Sequence, residues 1–206
     1  MLISNRIGDT AATRSFERLA GAAGVLTALV GLAYTVAFVV LANALLAGLF
    51  LLLSGVLATP VLVAVHGRLW ATAPGFVGWG VLLAVVGALG SAVHGAYDLA
   101  NALHPLAALA TDLPNPVDPR GVLTFGVAGV GLVVIAVVIV RTGGFPRWLG
   151  YLACLNGVLL VLLYLGRLVV LNPTSPLVLG PALLTGFLVN PALYTGLGVS
   201  LLRTHR

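Results

Sequence analysis

The residues best suited to chemistry fall on one short repeat. Gly80, Ala84, Gly87, Ser91, His94, Asp98 and Asn101 follow one another at intervals of four, three, four, three, four and three residues. At 3.6 residues per turn these intervals place all seven on one face of a helix. The first half of the face is small, which lets a neighbouring helix approach closely. The second half carries an imidazole, a carboxylate and an amide. The other faces are leucine, valine and alanine. Ionisable groups in such apolar surroundings are expensive; in a membrane they turn toward the bundle interior or a water-filled cavity, and they often mark function.

The surroundings are apolar throughout. The 206-residue chain is 60% hydrophobic and 7% charged, with a mean hydropathy of +1.15. Soluble domains average about 25% charged residues. Ten basic and five acidic residues are too few to cover a water-soluble fold of this length, so the solvent is lipid. At about 20 apolar residues per crossing, the chain divides into six helices near residues 16–42, 44–66, 76–102, 122–140, 148–171 and 181–202. The long apolar stretch from Phe16 to His66 is cut at Asn43, and Pro60 is expected to kink the second helix. Leu19–Ala42 is too long for the core of a signal peptide and is read as a retained helix. A short surface helix is expected at Pro105–Thr111, inside the long connection between helices three and four. The expected fold is therefore all-α, a polytopic membrane bundle over residues 1–206 with no separate soluble domain.

Charge sets an expected orientation. Six crossings leave both termini on one side, which collects Arg6, Arg14, Arg18, Arg68, Arg141, Arg147, Arg203 and Arg206 against Asp9 and Glu17. The other side has Arg120 and Arg167 against Asp98, Asp112 and Asp118. Arginine excess marks the cytoplasmic face, so both termini are expected inside, in a plasma membrane. These arginines flank membrane helices, which removes nucleic acid as a partner.

Partners for the polar half of helix three are sought at the same depth. Helix five runs parallel to it and ends with Tyr164, Arg167 and Asn172, while Asn190 and Tyr194 share a face of helix six. The expected site is an outward-opening polar pocket built from His94, Tyr97, Asp98, Asn101, Arg167 and Asn190, with Asp118 and Arg120 above it. Its keystone is an ion pair between Asp98 and Arg167, which would offset roughly 2.5–3.5 kcal/mol of insertion cost for a mid-membrane acid. The same pair would serve equally to hold two helices together.

Other chemistries fit poorly. There is no lysine, so no Schiff base and no phosphate-binding G-x-x-x-x-G-K loop. A lone cysteine, Cys154, excludes an intrachain disulfide and a cysteine metal cluster. A bis-histidine haem needs ligands at one depth, whereas His66 and His94 fall at opposite ends of their helices. His94, alone or with His104, keeps a haem or redox role open, and His94 with Asp98 keeps a membrane enzyme open. No H-E-x-x-H motif or nucleophile elbow is present.

The segment Gly144-Phe145-Pro146-Arg147-Trp148-Leu149-Gly150 resembles the turn before the fifth helix in a bacterial family of six-helix membrane proteins of unknown function, G-x-[FL]-P-R-x-L-G. The resemblance implies the same helix layout and no particular reaction. The combined expectation is a non-catalytic membrane protein, without cofactor or metal, that binds a small ligand, an ion or a partner helix. An accessory subunit of a larger complex, or a homo-oligomer, is the alternative that its small loops suggest.

Overall fold

The computed structural model describes residues 3–104, 118–170, 172 and 175–203, with side chains from residue 11 onward. Among the described residues there are six helices long and apolar enough to cross a membrane, and no strand. They are α1 (Ala11–Val40, its helical backbone starting at Ile3), α2 (Ala44–Leu69), α3 (Pro74–Leu103), α4 (Val122–Thr142), α5 (Arg147–Val170) and α6 (Pro176–Arg203). Asn43 does divide the first stretch: its side chain accepts a hydrogen bond from the Leu46 N–H at 3.0 Å and caps α2. α2 runs unbroken through Pro60. α6 starts at Pro176, earlier than residue 181, because a proline in the first turn has no N–H that the helix needs. The surface helix expected at 105–111 lies outside the described residues.

Sequential neighbours pack antiparallel, and α6 returns against α1 to close a ring. In lipid no hydrophobic drive brings helices together, so close van der Waals packing at small residues takes its place. Each seam shows it. A methyl group on Gly48 of α2 would stand 2.6 Å from the Leu99 nitrogen of α3; on Gly131 of α4, 2.5 Å from the Ala84 nitrogen of α3. A methyl group on Gly129 of α4 would stand 2.6 Å from the Gly157 carbonyl of α5, one on Gly157 2.6 Å from the Gly129 carbonyl, and one on Gly24 of α1 2.9 Å from the Gly198 Cα of α6. Gly80, Ala84 and Gly87, the small half of the sequence stripe, are all buried and face α4. α3 also carries a second small face, Ala88, Ala92 and Gly95, against α2.

The two halves of the ring differ. At the end where α1 begins and α6 finishes, hereafter the base, the buried half of α2 from Val61 to Leu69 fills the middle. Arg68 fixes this end: its guanidinium pairs with Glu17 of α1 at 2.8 Å, reaches the Ser200 and Leu201 carbonyls of α6 at 3.4 Å, and lies 5.2 Å over the Phe145 ring. The α4–α5 turn docks here. Gly143 adopts φ +75° as the left-handed cap of α4, Phe145 is buried at 3% exposure and Leu149 at 0%, so the glycines, phenylalanine and leucine of this turn serve packing. Leucines and valines such as Leu177 and Val169, 70% and 76% exposed, form the outer wall.

The seams set a stability test. Gly95→Val drives a side chain into the Leu52 nitrogen and the Gly48 carbonyl, and is expected to cost on the order of 3 kcal/mol. Gly67→Ala, with nothing within 4 Å, should be close to neutral. Unfolding temperatures in one detergent measure both.

Candidate functional site

Opposite the base, the helices part around a chamber of about 220 Å³ lined by all six. Its exposed lining residues Phe38, Val39, Arg167 and Leu179 lie where α1 and α5 end and α6 begins, which makes this its mouth. Buried Ala58 and Ala84 form its floor. Most of the wall is apolar, but Tyr34, Ser54, Ser91, Thr124, Thr185, Asn190 and Tyr194 put polar groups on it. Three π-helical turns border it: Val36–Val40, Val122–Val127 and Thr185–Val189. Such turns break the regular backbone ladder and recur at functional sites. In α6, Pro181 and Pro191, neither with an N–H to give, bracket the π-helical turn.

Beside the chamber, the polar half of α3 meets the start of α4. Asp118 and Arg120 precede α4, and the chain turns tightly between them: the Arg120 backbone N–H and Nε both donate to Asp118 Oδ1 at 2.9 Å, and Nη2 donates to Oδ2 at 2.6 Å. Arg120 Nη1 reaches Asp98 Oδ1 at 3.3 Å, and its guanidinium carbon lies 4.0 Å from the centre of the Tyr97 ring. One arginine therefore holds two carboxylates and an aromatic face. His94, 8% exposed, sits beneath. Its Nε2 lies 3.6 Å from Asp98 Oδ2 and 3.4 Å from Asp118 Oδ2; its Nδ1 lies 3.3 Å from Thr124 Oγ1. Which ring nitrogen carries the proton decides which contact it donates to. Thr124 donates in turn to the Arg120 carbonyl at 3.1 Å and lines the chamber. His94 thus connects the acid cluster to the chamber wall.

Burial pushes the Asp118 carboxyl up, but the hydrogen bonds and charge of Arg120 outweigh it and hold it below the ordinary carboxylate range. For Arg120, burial works against the charged form, while Asp118 and then Asp98 favour it and raise it above the usual value.

The sequence-derived residues fall into two places. His94, Tyr97 and Asp98 join Asp118 and Arg120 in the cluster, with Asn101 one turn further along α3 and half-buried. Arg167 and Asn190 line the chamber. The expected Asp98–Arg167 ion pair is not formed; Asp98 pairs with Arg120 instead. Arg120 lies just outside the membrane-spanning part of α4, where its backbone bends back over α3, and it satisfies the acid first. Among the described residues, Arg167 makes no ion pair or hydrogen bond. Asn190 accepts from Asn156 Nδ2 at 3.0 Å, and Asn156 is fully buried. Asn156 and Thr185 were not legible as site residues, although a lone amide in the middle of an apolar helix is the signal that points to the first.

Among the described residues, no group of three or more His, Cys, Asp or Glu is arranged to hold a metal ion. The Arg120 guanidinium occupies the place between Asp98 and Asp118 that a cation would take. His94 Nδ1 faces Thr124 Oγ1, and Nε2 faces the Asp98 and Asp118 carboxylates. Comparison with protein-family models, curated proteins and solved structures gives no match to this chain.

Arg120→Leu leaves two carboxylates, Asp98 and Asp118, without their cation. A fully buried pair broken this way costs 3–5 kcal/mol; with Asp98 and Asp118 each 37% exposed, about 1–2 kcal/mol is expected after solvent screening. The pH dependence has a sign. The Asp118 carboxyl is depressed in the fold, so its contribution is complete above its unfolded pKa of about 3.9 and is lost as pH falls through the lower folded value. The Asp118 part of the gap between wild type and Arg120→Leu should be lost below about pH 4, read as unfolding temperature against pH.

Proposed function

We propose that this is a multi-pass plasma-membrane protein, both termini cytoplasmic, whose chamber opens outward and binds a small, mostly apolar molecule without covalent chemistry of its own. The observation that carries the reading is the chamber itself, enclosed by all six helices and walled by apolar residues with a few convergent polar groups, the usual character of a small-molecule site. The orientation rests on charge. Arg14, Arg18, Arg68, Arg141, Arg147 and Arg203 gather at the base, whereas Arg120 and Arg167 share the other end with Asp98 and Asp118. The cluster of His94, Asp98, Asp118 and Arg120 belongs to the chamber's support: through Thr124 it fixes the π-helical first turn of α4 that forms part of the wall.

Size bounds the guest. An apolar cavity of ~150 Å³ accepts benzene, so about 220 Å³ suits roughly nine heavy atoms. A bilayer phospholipid is far larger. 1-Octanol matches and serves as a probe. It is expected to raise the unfolding temperature of the purified protein, and Ala182→Phe or Ser54→Leu, which fill the chamber from α6 or α2, should abolish that rise while unfolding cooperatively. An equal rise in both filled variants would show the alcohol acting from outside the ring.

A further inference from the structure

We infer that the chamber's guest is a small single-chain anion, with its acidic head on Arg167 and its apolar chain inside the ring; this rests on the chamber reading above and names its ligand class. Three observations converge. The first is a cation without a counter-ion. Arg68 has Glu17 and Arg120 has Asp98 and Asp118, but Arg167, a chamber-lining arginine at the mouth, has neither ion pair nor hydrogen bond among the described residues. The second is its direction. α5 runs toward the mouth, and helical side chains lean toward their own N-terminus, so Arg167 leans back toward the chamber. An arginine presents a planar fork that matches a carboxylate or phosphate with two parallel hydrogen bonds.

The third is an unanswered hydroxyl within. Thr27, Thr35, Thr124 and Thr142 each donate to the carbonyl one turn back. Thr185, 7% exposed and on the chamber wall, has no partner for Oγ1. It stands where α6 enters its π-helical turn, and its own N–H already takes the Ala182 and Pro181 carbonyls. A buried hydroxyl left unpaired is costly; Oγ1 is shut off from the chamber surface as it stands, and a rotation of the side chain would let an oxygen of a guest satisfy it. An anion with an apolar body meets the lone cation and fills the apolar wall together, which neither a sugar nor a neutral hydrocarbon does.

The test compares guests of one length on the purified full chain, by unfolding-temperature titration at pH 7. Octanoate should bind wild type more tightly than 1-octanol by roughly tenfold, the worth of one charged hydrogen-bonded contact, and octylammonium should bind more weakly than either. Arg167→Leu should reduce octanoate to the level of octanol in the same variant, and Arg167→Lys should restore part of the preference. Ala182→Phe should remove both. Equal affinity for octanoate and octanol, or a preference that survives Arg167→Leu, overturns the anionic assignment while leaving the chamber intact. Octanol binding that ignores Ala182→Phe overturns the chamber itself. Dihexanoyl phosphatidylglycerol separates the remaining source: stabilisation equal to that by octanoate would mean that Arg167 takes a lipid headgroup, and the single-chain assignment fails.

Discussion

Backbone-to-backbone contact at the helix seams is the constraint on which the rest of this structure depends. Lipid offers no hydrophobic reward for bringing two apolar helices together, so the association rests on how closely they fit. Glycines at Gly48 and Gly95, at Gly129 and Gly157, and at Gly24 and Gly198 let the helices touch along their axes. Every helix is held by its two neighbours in the ring, and its outward face is left to leucine and valine. Six cylinders in a ring leave a space in the middle. At the base, α2 leans in and fills it with Val61, Val65 and Leu69. Toward the other end α2 offers Ser54, Gly55 and Ala58 instead, side chains too small to close the gap, and the chamber remains.

The same geometry separates two kinds of arginine. Arg68 at the base and Arg120 beside the mouth each bind carboxylates from another helix and hold helices in place. Both are half-buried and both stack on an aromatic ring, Phe145 or Tyr97. Among the described residues Arg167 has no such partners, and it lines the chamber. The paired arginines and the chamber-lining one therefore differ in what surrounds them, and chain position does not tell them apart. His94 stands between the two zones: it touches the acid cluster through one nitrogen and the chamber-lining Thr124 through the other. Changes in the cluster therefore reach the wall through two side chains.

Much of the fold was legible because lipid solvent makes strong demands on sequence. Crossing lengths, the cut at Asn43, the small face of α3 and the arginine-rich end each follow from a length, a residue spacing or a charge count. The site was only partly legible. Periodicity placed His94, Asp98 and Asn101 on one face correctly, since it requires only that the segment be a helix. It could not say which cation meets Asp98, because that depends on how the Asp118–Arg120 turn folds over α3, a non-local matter. The chamber was hidden for the same reason. Ser54, Thr124 and Thr185 look like ordinary small residues of apolar helices, and only the closing of the ring brings them around one space.

The central claim, an accessible chamber inside the ring, is tested most directly by thiol labelling at one depth of α2. In a Cys154→Ser background, Ser54→Cys places a thiol on the chamber wall and Val56→Cys places one on the outer face, which is 50% exposed to the surroundings of the ring. Methanethiosulfonates react with the thiolate, so a small water-soluble reagent added to the protein in a bilayer should modify position 54 and spare position 56. Protection of both, or faster reaction at 56, would mean that the ring is closed and that no chamber opens to solvent.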